Sequence, residues 1–139
     1  MKLLMKAALS VYIFLYRLTR GAIGGQMAGL KVLLLTTTGR KTGKQRTTPL
    51  FYVSDGDNLA IVASNGGSDQ PPTWWLNIKN NPEVEVQIGR RTMRARAEQA
   101  NPEEKRRLWA MLAEMYPAYD DYQKRTAREI PVVVLRPIQ

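Results

Sequence analysis

The stretch VLLLTTTGRKTGKQRTTPLFYV, residues 32–53, joins two strand-like runs through a loop rich in cations. The first run, Val32 to Leu35, is uninterrupted and apolar, as in a buried strand. The second, Thr47 to Val53, is rich in β-branched and aromatic residues, and Gly39 and Gly43 mark the turn between the two runs. The stretch therefore predicts two strands connected by a loop that carries four cations, Arg40, Lys41, Lys44 and Arg46.

This loop can hold several phosphate or carboxylate oxygens at once, arginine by bidentate contacts and lysine as a point charge. It is not a P-loop, because too few residues separate its glycines and Gln45 stands where Ser or Thr is required after Lys44. A strand follows it, so the loop also lacks the helix N-terminus that P-loops use. The alternative is a solvated hairpin turn, since charge runs are usually exposed.

Composition narrows the possible functions. The 139 residues suffice for one domain with a sizeable core. The 21 Lys and Arg against 12 Asp and Glu give a net charge of +9, which favours a nucleic acid, an anionic membrane surface or a charged cofactor. Cysteine and histidine are absent, which excludes disulfides, Ser-His-Asp hydrolysis and Cys- or His-based metal sites. We expect no metal, and an enzyme of this composition takes its reactivity from a cofactor.

The N-terminal segment, residues 1–20, differs from the rest of the chain. Its apolar run, Ala7 to Tyr16, is flanked by lysines and arginines and is too short for the ~20 residues of a spanning helix. We predict an amphipathic helix with basic flanks, which packs on its own domain or on a second subunit, or lies on a membrane surface. Gly21 to Gly25 predict a hinge, dividing the chain into residues 1–25 and a barrel domain, residues 26–139.

The remaining pattern is mostly that of strands, with a few helices between them. Six strands are predicted, at 30–37, 49–54, 59–63, 84–88, 92–98 and 131–135, and the last of them is expected to be central in the sheet. Three helices are predicted: one at 73–79, one that begins after the cap Asn101, and a short one within 116–128. Six strands with helical crossovers predict a small, mostly antiparallel barrel that can host a flat ligand along one side.

Two groups of aromatic residues are candidates for a ligand pocket. Trp74 and Trp75 lie in the short helix and form either core packing or the wall of a planar-ligand pocket. Tyr116, Tyr119 and Tyr122 recur at three-residue spacing, which places them along one helical face. They are either core residues or phenols that orient a carbonyl or nitro oxygen, or relay a proton.

A second basic cluster lies on the predicted strand 92–98 and the turn before it, and consists of Arg90, Arg91, Arg94 and Arg96. A solvated strand face explains this cluster, and a patch for an acidic tail or a nucleic acid is the alternative. Aromatic residues are not interleaved with the basic ones, so the pattern does not favour a nucleic-acid-stacking surface.

Taken in order along the chain, five motifs resemble the deazaflavin (coenzyme F420)-dependent nitroreductase and quinone reductase family. They are Gly39-Arg40-Lys41-Thr42-Gly43 with Arg46, Ser64-Asn65-Gly66-Gly67, Trp74-Trp75-Leu76-Asn77, Asn81-Pro82, and Tyr116-Pro117-Ala118-Tyr119-Asp120-Asp121-Tyr122. The resemblance covers roughly Val32 to Pro137. It implies a split β-barrel of the flavin-reductase-like kind that binds coenzyme F420, a deazaflavin with a phosphate and an oligoglutamate tail. The reduced coenzyme would pass a hydride to quinones, nitroaromatics or activated enones and lactones.

The resemblance also implies residue roles. The phosphate and tail-binding loop would comprise Arg40, Lys41, Thr42 and Arg46. The strand along the ring system would comprise Thr47, Thr48, Pro49, Leu50 and Phe51, and the segment at the ring's polar edge Val62, Ala63, Ser64 and Asn65. The helix lining the cofactor would comprise Thr73, Trp74, Trp75, Leu76 and Asn77. Acceptor-pocket and catalytic roles would fall to Ser64, Tyr116, Tyr119 and Tyr122, with Tyr119 also touching the cofactor.

The expected partners follow from the same resemblance: a quinone-like or nitroaromatic acceptor, an anionic membrane surface through residues 1–20, and a second copy in a homodimer. We expect a cytoplasmic location at the inner face of the cell membrane. We expect no nucleic acid among the partners. Two alternatives stay open from the sequence. One is an oxidoreductase that binds flavin mononucleotide on the same barrel, and the other is a basic nucleic-acid-binding module without catalysis.

Overall fold

The computed structural model describes residues 2–138. Its helices are α1 (Lys2–Leu18), α2 (Thr73–Asn80), α3 (Pro102–Met115) and α4 (Ala118–Arg125), with a 3₁₀ turn at Asn65–Gly67. Its strands are β1 (Gln26–Met27), β2 (Leu30–Thr38), β3 (Gln45–Phe51), β4 (Val53–Asp55), β5 (Asn58–Val62), β6 (Glu83–Ile88), β7 (Arg91–Gln99) and β8 (Val132–Pro137).

The strands form one antiparallel sheet that curls into a split barrel. Its hydrogen-bonded order is β1-β2-β6-β7-β8-β5-β4, and β3 pairs with β2 beside this path. Tyr52 is the single residue between β3 and β4. It therefore connects β3, which pairs with β2, to β4, which lies at the far end of the strand order. The predicted fold class, a mostly β split barrel with helical crossovers and an N-terminal helix, is confirmed.

Strand β2 explains why its sequence is apolar without alternation. Leu33 and Leu35 face the barrel core, whereas Val32 and Leu34 pack against α1 on the other face. A strand that is covered on both faces carries apolar residues throughout. The buried run predicted from the sequence therefore packs against the barrel core on one face and against α1 on the other.

Strand β8 is the central strand that the sequence predicts. It lies between β5 and β7. Val133 and Leu135 belong to the barrel core, while Val132 and Val134 pack in a second cluster with α3 and α4. Helix α3 begins after the predicted cap, where the Asn101 side chain accepts a hydrogen bond from the Glu104 amide at 2.8 Å.

The second strand differs from its prediction at residues 49–54. It starts at Gln45, because pairing with β2 continues through Gln45 and Arg46, and it ends at Phe51. The buried Tyr52 marks the point where the chain leaves β2 and joins β5. Pro49 is tolerated inside β3 because, among the described residues, β3 pairs with β2 alone, which leaves the other edge free of ladder hydrogen bonds.

Helix α1 packs on its own barrel through its C-terminal half. Tyr16 is fully buried; its hydroxyl accepts from the Gly89 amide at 3.0 Å and lies 2.9 Å from the Val32 carbonyl oxygen. The Tyr12 hydroxyl donates to the Gly24 carbonyl. Of the three placements left open by the sequence, packing on the same chain is the one seen for this half. No helix within residues 2–138 is long and apolar enough to span a bilayer.

The glycine segment after α1 forms compact turns. Gly21 has a φ of +84°, and a Cβ there would lie 2.6 Å from the Gly89 Cα, so only glycine fits this approach. The division into residues 1–25 and 26–139 stays a prediction.

Candidate functional site

Two cavities lie side by side along β3. The first, which we call the cation cavity, has a volume of about 1140 Å³ and is enclosed by α1, the loop after β2, β3 and α2. The second, the tyrosine cavity, has a volume of about 630 Å³ and is enclosed by β3, the loop after β5, α2 and α4. Thr48, Thr73 and Trp74 line both, so the two cavities adjoin and can accommodate one elongated ligand.

Five cations and no carboxylate line the cation cavity: Lys6, Arg17, Arg40, Lys41 and Arg46. None of the five forms an ion pair with another residue of the part of the chain described, whereas five ion pairs occur elsewhere on the surface. Unpaired cations that converge on one concave surface favour an anionic ligand with several charges.

The cationic loop has a defined shape. The Gly39 amide donates to the Lys44 carbonyl and the Gly43 amide to the Gly39 carbonyl, both at 2.8 Å, and Gly43 has a φ of +72°. The Thr42 hydroxyl accepts from the Lys44 amide at 3.2 Å. Arg40 and Lys41 line the cavity and Lys44 does not, so the loop divides its cations between the site and the outside.

A buried amide ties this loop to α2. Asn77 is 2% exposed; its Nδ2 donates to Thr37 Oγ1 at 3.1 Å, and its Oδ1 accepts from the Arg40 backbone amide at 3.1 Å. Both ends of the amide therefore have protein partners. Asn77 lines the cation cavity and holds the backbone from which the Arg40 side chain extends.

A chain of hydroxyls connects α1 to the barrel at the cavity wall. The Arg17 guanidinium donates to Thr47 Oγ1 at 2.9 Å, and Thr47 Oγ1 lies 2.8 Å from Thr36 Oγ1. Thr36 and Thr47 are directly opposite each other in the β2–β3 pairing, which places their side chains together. Arg17 is thus oriented by neutral groups and keeps its charge available.

The tyrosine cavity contains no charged side chain among its lining residues. The rings of Tyr116, Tyr119 and Tyr122 contact one another edge to face, with centroids 5.0 to 6.2 Å apart. Phe51 from β3 extends the cluster, with its ring centroid 5.4 Å from that of Tyr116. The three tyrosines therefore serve as packing and as cavity wall at the same time.

The hydroxyls of these tyrosines are not equivalent. Tyr116 and Tyr122 share a hydrogen bond at 3.2 Å, which is the main cause of the raised pKa of Tyr122. Tyr119 is 5% exposed, and its hydroxyl has no hydrogen-bond partner within residues 2–138. Burial raises the pKa of Tyr119 above its ordinary value, and Tyr116 and Tyr122 add to the rise, so this phenol stays neutral at physiological pH. A neutral phenol can donate one hydrogen bond to an acceptor oxygen.

The loop after β5 is fastened to the end of α4. Arg128 donates to the carbonyls of Ser64 and Ser68, both at 2.9 Å, and the Thr126 hydroxyl donates to Asp69 at 2.7 Å. Gly67 has a φ of +82°, and a Cβ there would lie 2.8 Å from the Tyr122 carbonyl oxygen. This contact couples the position of the loop to that of the tyrosine helix.

Most of the residues predicted for the site line one of the two cavities. The cation cavity contains Arg40, Lys41, Thr42, Arg46, Thr47 and Asn77 in addition to the shared residues; the tyrosine cavity contains Pro49, Leu50, Phe51, Val62, Ser64, Asn65, Tyr116, Tyr119 and Tyr122. Three others line neither cavity: Trp75 and Ala63 are buried in the barrel core, and Leu76 is half-buried. Both tryptophans belong to the barrel core, and only Trp74 also lines the two cavities.

The sequence reasoning missed the contribution of α1. Lys6 and Arg17 line the cation cavity, yet the sequence suggested only a membrane or packing role for this helix. The two residues are eleven positions apart, about three helical turns, so they share one face, a spacing that could have indicated a common target. The Arg90 cluster, in contrast, lines neither cavity; Arg94 pairs with Glu83 at 3.1 Å on the exposed sheet face.

Comparisons with known proteins agree with this geometry. Residues 10–137 match the family model described as F420H(2)-dependent quinone reductase. An F420H(2)-dependent quinone reductase of Mycobacterium tuberculosis is 45% identical over 125 residues, which cover 87% of this chain and 84% of that protein. A solved F420-H2 dependent reductase is 40% identical with a TM-score of 0.71, covering 76% of this chain and 93% of its own.

A second solved structure, a domain-swapped dimer, is 34% identical with a TM-score of 0.73 and covers 94% of this chain and 99% of its own. The match to the family model spans every strand of the barrel, the tyrosine cavity and the C-terminal half of α1, and it includes all residues that line the cation cavity except Lys6 and Leu9. This chain therefore belongs to the F420H(2)-dependent quinone reductase family.

Proposed function

We propose that this chain reduces quinones with reduced coenzyme F420 bound along the two adjoining cavities. The proposal rests on the contrast between two adjoining cavities. Among the described residues, one is lined by five unpaired cations, and the other is lined by no charged side chain. An anionic phosphate and oligoglutamate tail suits the first, and an uncharged acceptor suits the second. Thr48, Thr73 and Trp74, which line both cavities, would hold the deazaflavin ring.

The donor set fits such a cofactor. Arg40, Lys41 and Arg46 offer charge-assisted hydrogen bonds, each worth about 1.5–3 kcal/mol. Two or three of these, with ring stacking added, give affinity in the micromolar range or better. Trp74 is buried yet forms part of both cavity walls, so it offers an apolar surface to a flat ring.

When bound, the reduced coenzyme supplies the hydride, and the acceptor quinone takes up that hydride and one proton to become the quinol. The chain itself has no histidine or cysteine, so its residues bind, orient and exclude water. Tyr119 donates a hydrogen bond from its otherwise unpartnered hydroxyl to the acceptor oxygen. The raised pKa makes Tyr119 a poor acid, so it polarises the oxygen, and the proton comes through Tyr122, Ser64 or solvent.

Nitroaromatics and activated enones or lactones are proposed as further acceptors, because their reacting oxygens would meet the same phenol. The test is steady-state oxidation of reduced F420 by menadione and by a nitroaromatic, followed at the coenzyme's own absorbance. Fluorescence titrations with F420 and with flavin mononucleotide accompany it. Oxidation by menadione with F420 bound more tightly than the flavin is expected; preferential binding of the flavin would support the other oxidoreductase and contradict this proposal.

We propose further that α1 attaches the protein to an anionic membrane surface. Leu3, Val11, Phe14 and Leu18 project from one side of the helix with 56 to 83% of their surface exposed. Basic residues flank this apolar stripe, as in interfacial helices. The location at the inner face of the cell membrane follows from that proposal. Sedimentation with vesicles of anionic lipid tests it, and a Leu3→Ser, Val11→Ser variant, which changes no cavity-lining residue, would contradict it if it still sediments fully.

A homodimer remains a separate proposal. It is supported by the domain-swapped dimer formed by a relative that is 34% identical over 94% of this chain. Light scattering coupled to size exclusion measures the mass of the full chain. A mass of twice the 15.8 kDa chain is expected, and a monomer across the accessible concentration range would exclude the dimer.

A further inference from the structure

We propose that Lys6 and Arg17 of α1 form the outer half of the polyanion site, so that the coenzyme tail is held between α1 and the loop after β2. This inference rests on the proposed function, and it deepens it by assigning a specific role to the helix. The tail recognised here is an extended chain of carboxylates rather than a phosphate alone.

The first argument is the placement of the two cations. Lys6 and Arg17 lie on the same face of α1, and both line the cation cavity together with Arg40 and Lys41. Their eleven-residue separation corresponds to a rise of about 16 Å along the helix. An extended peptide covers about 3.3–3.6 Å per residue, so the pair spans four to five residues of a tail. A chain of several carboxylates can therefore contact both cations along the length of the helix.

The second argument is charge. The lining combines two cations from α1 with three from the loop and β3, and no carboxylate separates the groups. Like charges gathered on one concave surface repel one another. Arg17 has a hydroxyl, Thr47 Oγ1, as its side-chain partner, which orients the guanidinium without neutralising it. A bound polyanion removes the repulsion and draws α1 towards the loop.

The third argument is the uneven attachment of α1. Its C-terminal half is anchored by the buried Tyr16 and by the Tyr12 hydroxyl. Leu3, Leu4 and Met5 at the other end are 71 to 83% exposed. The end of the helix that carries Lys6 therefore has few apolar contacts with the barrel, and an anion that bridges Lys6 and the loop adds an attachment there.

A titration with coenzymes of different tail length tests the inference. The variant Lys6→Gln with Arg17→Gln removes two positive charges from the cavity. The control, Arg20→Gln with Lys31→Gln, removes two exposed charges from the same region that line neither cavity. Lys6→Gln alone changes only an exposed side chain and serves as the variant least able to disturb folding. Fluorescence titrations use long-tailed F420, F420 with a single glutamate, and tail-free deazaflavin.

The parent and the control should bind long-tailed F420 about tenfold more tightly than the cavity variant does, a difference of ~1.4 kcal/mol. Affinity for the single-glutamate and tail-free forms should change less than about twofold. Hydrogen exchange gives a second readout: long-tailed F420 should protect the amides of residues 2–10 in the parent and not in the cavity variant.

The outcomes separate this inference from the proposed function. If the parent binds no form of F420, the proposed function fails and the inference with it. If the parent binds F420 and the cavity variant, and Lys6→Gln alone, keep the parent's affinity for long tails, α1 is no part of the site. An equal loss in the Arg20 and Lys31 control would likewise overturn it, because the effect would then come from net charge.

Discussion

The cation cavity and the tyrosine cavity share three residues, yet their walls are built in opposite ways. The cations extend from α1, a loop and β3, and have no acidic partners in the described chain. The tyrosines contact each other ring to ring, and the loop beside them is fixed by Arg128 and by the approach of Gly67 to Tyr122. The first wall suits attraction of a charged ligand, and the second suits orientation of an uncharged one.

This difference predicts that the two cavities control different quantities. Attraction by exposed cations sets the affinity for coenzyme and weakens as salt screens the charges. Packed phenols in an uncharged wall set the rate at which a bound acceptor reacts, with little effect on coenzyme affinity. Variants in one cavity should therefore leave the property governed by the other unchanged.

The largest effect is expected when the cation cavity loses Lys41 of the loop and Arg46 of β3. Each of Lys41→Ala and Arg46→Ala should weaken F420 binding about tenfold, and the double variant about a hundredfold, at ~1.4 kcal/mol per decade. Turnover at saturating coenzyme should stay close to that of the parent. Lys44→Ala removes a cation of the same loop that does not line the cavity, and should bind as the parent does.

Fluorescence titration of the parent and of the four variants measures their affinities for F420. If Lys44→Ala weakens binding as much as Lys41→Ala, the loop acts through its net charge and the cavity geometry is irrelevant. If no variant changes affinity, the loop is only a turn.

A change of the loop after β5 should disrupt the tyrosine cavity alone. Gly67→Ala places a Cβ 2.8 Å from the Tyr122 carbonyl oxygen, which forces loop and helix apart, and turnover should fall about tenfold or more. Gly56→Ala is the matched control, because Gly56 also has a positive φ, +61°, nothing lies within 4 Å of an added Cβ, and it lines neither cavity. Steady-state kinetics should show the loss only for Gly67→Ala; equal losses would attribute the effect to backbone strain.

Removing one hydroxyl from the tyrosine cavity should have a smaller effect. Tyr119→Phe deletes a neutral hydrogen-bond donor worth about 0.5–1.5 kcal/mol, so turnover with a quinone should fall roughly two- to tenfold while F420 affinity holds. Tyr52→Phe, in the barrel core and outside both cavities, is the control. Unchanged turnover in the Phe variants at both 119 and 122 would assign these tyrosines to packing.

The pH dependence offers a check on the same phenol. Burial raises the pKa of Tyr119 above the ordinary value near 10, so the proton is fully bound below pH 10 in the native protein. Turnover should therefore show no inflection from Tyr119 between about pH 6 and 10. An inflection in that range that disappears in Tyr119→Phe would mean that Tyr119 ionises during the reaction.

The smallest effect on chemistry is expected from loosening the α1 wall of the cation cavity. Tyr16→Phe leaves the half-buried Gly89 amide without its acceptor, and the free energy of unfolding should fall by about 1–3 kcal/mol. Turnover at saturating coenzyme should be nearly unchanged, because α1 lines only the cation cavity. Urea unfolding, followed by circular dichroism, measures the free energy of unfolding. A lower turnover number without a loss of stability would contradict the separation of the two cavities.

Local patterns predicted much of this molecule. The run Val32 to Leu35 predicted a buried strand, Asn101 predicted the start of α3, and Asp55 to Asn58 predicted the turn between β4 and β5, because each depends on neighbours in sequence. The resemblance similarly located most of the cavity-lining residues that belong to the barrel, but none of those that belong to α1. Such features need no knowledge of distant contacts.

The remaining features arise from tertiary contacts. Tyr52 ends one strand pairing and begins another, which no local preference encodes. Trp74 and Trp75 are adjacent, chemically identical and both part of the barrel core, and only the tertiary fold decides that Trp74 also lines the cavities. Lys6 and Arg17 line the cavity because α1 packs against β2. That packing depends on the burial of Tyr16, whose hydroxyl accepts a hydrogen bond from Gly89, 73 residues further along the chain.

One titration tests the central claim, that charge in one cavity and an uncharged wall in the other divide affinity from turnover. The parent protein is titrated with F420 and with tail-free deazaflavin at ionic strengths from about 0.05 to 1 M, where the screening length falls from more than ~10 Å to ~3 Å. The account predicts that F420 binds far more tightly at low salt and that the difference shrinks as salt rises, while the tail-free form keeps one affinity throughout. Equal affinities for both ligands, unaffected by salt, would contradict it.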